Sequence, residues 1–163
     1  MGTKSRQLQI RVTPTQKASL QRLARRAGQS VSSYVLSRVL PPEQDRLAQI
    51  VRALRDEDRQ RFALAELNDF LARLTPIQFH EAVGDVELEG LTPRLRNYVA
   101  AMVEHAAGRM DVDAPHWAAA VEPLEEPWFP VGLPRLRPYL LKVAPVAFKR
   151  RNIFIDATVG DRV

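Results

Sequence analysis

The chain has 163 residues, 45% apolar and 26% charged, which fits one folded domain, or a very small one joined to a larger one, and excludes a wholly disordered or collagen-like chain. It contains no cysteine, so disulfide scaffolds, thiol nucleophiles and thiolate zinc sites are excluded. The net charge of +5 hides three segments: residues 1–42 carry eight basic and no acidic side chains (+8), residues 43–126 nine basic and seventeen acidic (−8), and residues 127–163 seven basic and two acidic (+5).

A basic head without a single acid points to a polyanion partner, most simply nucleic acid. A solubilising arm is the plainer alternative, but the head is patterned for folding. Its first residues hold no apolar stretch of the kind that opens a secretory signal. No segment reaches the ~18 apolar residues of a membrane helix. The expected compartment is the cytoplasm.

Leu8, Ile10 and Val12 alternate with Gln7, Gln9 and Arg11, a period of two that predicts a strand over 7–12. Thr13 is placed to cap a helix, with Pro14 at its first position and Gln16 completing a capping box. Leu20, Leu23, Ala24 and Ala27 give that helix a buried stripe, and Gly28 is suited to end it. Ser30 can cap a second helix with Val31, Val35 and Val39 inward, ending at Pro41 and Pro42.

One strand leaves its backbone groups without partners. A second copy of the chain would supply them, so the pattern predicts a homodimer with a two-stranded ribbon. Such a ribbon fits the major groove of double-stranded DNA, where Gln pairs with adenine and Arg with guanine. Gln7, Gln9 and Arg11 are therefore the expected base-reading residues. Lys4 and Arg6, with Gln29, Ser30 and Val31 at a helix N-terminus, are the expected phosphate contacts.

Residues 7–14, together with Gly28, Ser30 and the helix that follows to Arg38, resemble the ribbon-helix-helix family of DNA-binding proteins, the β-ribbon readers that include Arc and MetJ. The resemblance covers about residues 4–40. It implies that the outward strand residues read bases and that the turn before the second helix anchors phosphate.

The middle, residues 43–116, is expected to be helical. Leu47, Ile50, Val51, Leu54, Phe62, Leu67, Phe70, Leu71 and Leu74 supply an apolar series against a mixed-charge face. Thr75 with Pro76, and Thr92 with Pro93, mark two helix starts. Gly84 and Gly108 lie near the expected ends. Asp111 and Asp113 have a spacing that can hold Mg²⁺, but the phosphate loop of a nucleotidyltransferase is missing. Asp85, Glu87 and Glu89 read as a solvated acidic surface. His105 and His116 lack the spacing of a paired metal site. No catalytic residue, metal or cofactor is assigned, and the chain is not expected to be an enzyme.

Residues 117–163 hold Pro123, Pro127, Pro130, Pro134, Pro138 and Pro145, too many for one long helix, yet stay rich in aromatics. The expectation is an extended tail that wraps a protein partner through Trp128, Phe129, Leu136, Tyr139, Phe148, Arg150, Arg151, Ile153 and Phe154, since Trp, Tyr and Arg dominate binding hot spots. Residues 152–155 could add a strand to a sheet edge. The competing expectation is a tail packed back on its own helical middle.

The expected architecture is mainly α: a ribbon-helix-helix domain at 1–42 with one strand per chain, a helical region at 43–116 and an extended tail at 117–163. A dimeric DNA-binding head joined to a partner-binding tail looks like an antitoxin of a type II toxin–antitoxin module. That resemblance implies repression of its own operon and neutralisation of a protein toxin. Glu126, Pro127, Trp128 and Phe129, with residues 148–154, are similar to proteins paired with nucleotidyltransferase-like toxins. The alternative is a ribbon-helix-helix transcriptional regulator whose C-terminal domain senses a ligand or oligomerises.

Overall fold

The computed structural model describes residues 9–39, 42–130 and 134–156. The chain divides into two compact units, Met1–Leu40 and Pro41–Val163. The first holds α1 (Pro14–Arg26) and α2 (Val31–Val39), packed on each other. The second holds α3 (Pro42–Ala53), α4 (Gln60–Arg73), α5 (Pro76–Val83), α6 (Pro93–Met110), α7 (His116–Ala120), α8 (Arg137–Val143) and α9 (Val146–Lys149).

Three helices begin where Thr-Pro predicts. Thr13, Thr75 and Thr92 each accept a backbone N–H of the first turn, and each is followed by a proline at the start of the helix. Proline costs nothing there because that N–H has no helical acceptor. Gly28 adopts φ +66°, which an L side chain avoids, and so ends α1. Helix α6 runs past Gly108 to Met110, and Asp111 at φ 54° caps it.

The apolar series after residue 43 is not one helix. It breaks after Leu54 into a turn in which the Asp56 carboxylate accepts the Asp58 N–H at 3.1 Å, and α4 starts afresh at Gln60. Asp56, Glu57 and Asp58 offer nothing to bury, so the chain turns through solvent. Phe62 consequently faces outward, 79% exposed.

The core of the second unit is continuous from Leu47 to Ile155. Helix α3 packs on α4 and α5, and α6 lies against α4, α5, α7 and α9. Leu54, Leu67, Phe79, Leu95, Val99 and Val103 fill its centre.

Two expectations about the fold are corrected. Among the described residues there is no strand. Residues 9–12 of the expected ribbon strand have no regular structure, and Gln7 and Leu8 lie outside the described residues. A strand exists only through backbone pairing, and among the described residues of this unit nothing pairs with residues 9–12. Ile10 and Val12 are exposed accordingly. The ribbon-helix-helix class is therefore not observed; the mainly-α class is.

The tail is not extended either. It forms α7, a 3₁₀ turn at Pro134–Leu136, α8 and α9, with proline confined to loops and first turns. It folds back on α6. Residues 152–155 pair with Trp128 of the same chain: the Trp128 N–H donates to the Asn152 carbonyl at 2.8 Å, and the Phe154 N–H to the Trp128 carbonyl at 2.9 Å.

Candidate functional site

In the first unit, Thr13 and Gln16 close a capping box, with Gln16 Oε1 accepting the Thr13 N–H at 2.9 Å. Ser30 caps α2, its Oγ accepting the Ser33 N–H at 3.1 Å. Between them the chain turns at Gly28, and the Gln29 N–H donates to the Ala24 carbonyl at 3.0 Å. This turn holds Gln29, Ser30 and Val31 together on the surface. The first-turn N–H groups of α2 have no helical acceptors and carry the positive end of the helix dipole.

Arg11, Lys17, Arg22, Arg25, Arg26 and Arg38 are exposed, and no acidic side chain lies anywhere in residues 1–42. Gln9 and Arg11 are exposed beside the start of α1. Gln7, Lys4 and Arg6 lie outside the described residues. Ala24 is the one buried residue described in this unit. Leu23, Val31, Leu36 and Val39 face solvent, the last 73% exposed. An open groove of about 480 Å³ is lined by Arg11, Val12, Leu20 and Leu23 among others.

In the second unit, the nine expected partner residues divide. Phe148 and Ile153 are wholly buried, and Arg151 is 4% exposed. Trp128, Phe129 and Phe154 are half-buried, and Leu136, Tyr139 and Arg150 are exposed. Tyr98 of α6 meets Phe148 edge-on at 5.4 Å and Trp128 at 6.5 Å. Arg94 lies over Trp128 at 5.3 Å. Burial raises the Tyr98 phenol above its ordinary value, partly offset by Arg94. Phe129 and Phe154 stack at 5.0 Å, with Arg137 over Phe129. A hydrogen bond to Asp156 raises the Tyr139 phenol.

Arg151 is the organising polar group. Its Nε donates to Glu104 Oε2 at 3.2 Å and one terminal nitrogen to Glu104 Oε1 at 2.6 Å. The same nitrogen also donates to the Ala118 carbonyl. The other donates to Asn97 Oδ1 at 3.3 Å and to the Val121 carbonyl at 3.1 Å. A guanidinium has five N–H donors, and all five are used. Asn97 in turn donates to the Glu122 carbonyl at 2.9 Å, and Asn152 to the Leu124 carbonyl at 2.8 Å. This network ties α6, residues 118–124 and residues 151–152 into one piece.

The sequence carries a trace of this network. Asn97 and Glu104 are seven apart on α6, so they share a face. They sit there among Ala100, Ala101 and Ala107, all buried. Polar residues on a small-residue stripe need a polar partner.

Among the described residues no group of three or more His, Cys, Asp or Glu converges. Asp111 serves as a helix cap, and His105 packs edge-on against Phe148. No described helix is long and apolar enough to cross a membrane.

Residues 5–75 match the family model described as Antitoxin ParD. The match spans the whole described part of the first unit and continues through α3 and α4, under half of the 163 residues. It supports an antitoxin of a toxin–antitoxin pair. No curated protein and no solved structure matches the chain.

Proposed function

We propose that this protein is a DNA-binding antitoxin that neutralises a protein toxin and represses its own operon. The observation that carries the reading is the coincidence of two features in one segment. The similarity to the antitoxin family, over residues 5–75, takes in nearly all of the segment that has eight cations and no anion, residues 1–42.

Arg11, Lys17, Arg22, Arg25 and Arg26 give the first unit a field suited to a phosphate backbone. Gln29, Ser30 and Val31 would hold a phosphate at the start of α2. Gln9 and Arg11, together with Gln7, would read base edges. The exposed apolar side chains of this unit would be covered by a second copy, making the DNA-binding form a homodimer. The second unit would hold the toxin, with the exposed Leu136, Tyr139 and Arg150 as contacts.

Two experiments on the full-length chain test the reading. Co-expression with the product of the neighbouring gene should rescue growth that this product alone arrests. Titration onto the chain's own upstream DNA should show specific binding that weakens steeply with salt. A neighbouring product that is harmless alone, or growth arrest unchanged by the chain, would overturn the antitoxin assignment.

A further inference from the structure

A groove of about 860 Å³ opens between residues 88–97 and 117–125 of the second unit. Its floor is apolar: Leu88, Trp117, Val121 and Leu124, all half-buried. Its rim carries three exposed carboxylates, Glu89, Glu122 and Glu125. The rim also carries one cation, Arg96, whose Nε donates to the Leu91 carbonyl at 2.9 Å.

The walls are held in place from behind. The carbonyls of Ala118 and Val121 accept from Arg151, that of Glu122 from Asn97, and that of Leu124 from Asn152. The floor is held by the Trp117 indole N–H, which donates to the Val83 carbonyl at 2.7 Å. Such a groove loses little conformational freedom when filled, which favours binding. Its volume lies at the upper end of small-molecule sites, but it is an open trough with an apolar floor. That shape suits an amphipathic helix laid into it.

We propose that this groove seats a basic amphipathic helix of the toxin, with its apolar face on Trp117 and Leu124 and its Lys or Arg side chains at Glu89, Glu122 and Glu125. The choice of occupant follows from charge: three carboxylates against one guanidinium leave the lining of the groove net negative, so an acidic helix would be repelled and a cationic one drawn in. The proposal rests on the antitoxin reading for the identity of the partner, not for the chemistry of the groove.

The test uses the full-length chain and three labelled peptides of about four helical turns. One is an amphipathic Leu/Lys helix, one an amphipathic Leu/Glu helix, and one the Leu/Lys composition in scrambled order. The amphipathic cationic peptide alone should bind by anisotropy, and it should shift the Trp117 indole resonance. The triple variant Glu89→Gln, Glu122→Gln, Glu125→Gln should weaken it about tenfold or more. Ala120→Arg, on the exposed lip, should do the same without altering the melting temperature. Equal binding of the scrambled peptide, unchanged binding to both variants, or no binding would overturn the proposal. In the growth assay, rescue by both the wild type and the triple variant would overturn the groove and leave the antitoxin reading standing. No rescue by the wild type would overturn the antitoxin reading, whatever the peptides do.

Discussion

The two units of this chain handle apolar surface in opposite ways. The second encloses Phe79, Phe148, Leu95 and Ile153 completely and brings even an arginine inside. The first leaves Ile10, Val12, Leu23 and Val39 in solvent and buries Ala24 alone among its described residues. A unit of some forty residues is below the size that usually closes a core by itself. The lesson is that the second unit closes a core of its own, whereas the described residues of the first leave theirs open to water.

The sharpest way to break this contrast is to damage the closed core. Phe148→Ala should destabilise the second unit by about 3–5 kcal/mol, because a wholly buried ring leaves a cavity. Urea unfolding with an unchanged midpoint would show that the tail does not contribute to that core. Arg151→Met should cost about 3 kcal/mol, because Glu104 and Asn97 lose their partner in a largely dry site. A stability equal to wild type would mean that the five-bond network is dispensable.

In the first unit the same kind of truncation tests for a missing partner. Leu23→Ala should cost under about 0.5 kcal/mol if the side chain stays in solvent. If a second copy covers it, the melting temperature of the wild type should rise with protein concentration, and the variant should lose that dependence. Sedimentation would report the same difference. Arg11→Ala should leave stability alone and weaken specific DNA binding by about 1–3 kcal/mol. Unchanged titrations against the upstream DNA would remove Arg11 from base reading.

The smallest effect is a pH dependence within the second unit. Burial raises the Tyr98 phenol above 10.0, so the folded state holds its proton more tightly than the unfolded state. The stability from this group is fully present below pH 10.0 and is lost as pH rises from there through the folded value. Tyr98→Phe should therefore remove part of the late rise in the absorbance of ionised tyrosine, to which Tyr139 also contributes. A late rise as large in Tyr98→Phe as in the wild type would contradict the burial of this ring.

Local chemistry was legible along the chain wherever neighbours decide the outcome. Thr-Pro starts, the capping box at Thr13, and the left-handed Gly28 depend on a few adjacent residues. The basic, acid-free head is a matter of composition. The helical character of residues 43–116 follows from apolar spacing, although the charged turn at Asp56 divides it. What only the tertiary structure decided is where the chain finds partners. Residues 9–12 alternate like a strand but have no strand beside them among the described residues, and they form none. The proline-rich tail reads as a free arm, yet Arg151 finds Glu104 and Asn97 far away in sequence and fastens it to α6. Period and composition state which face a segment offers; they do not state what meets it, because burial and long-range hydrogen bonds depend on residues distant in the chain.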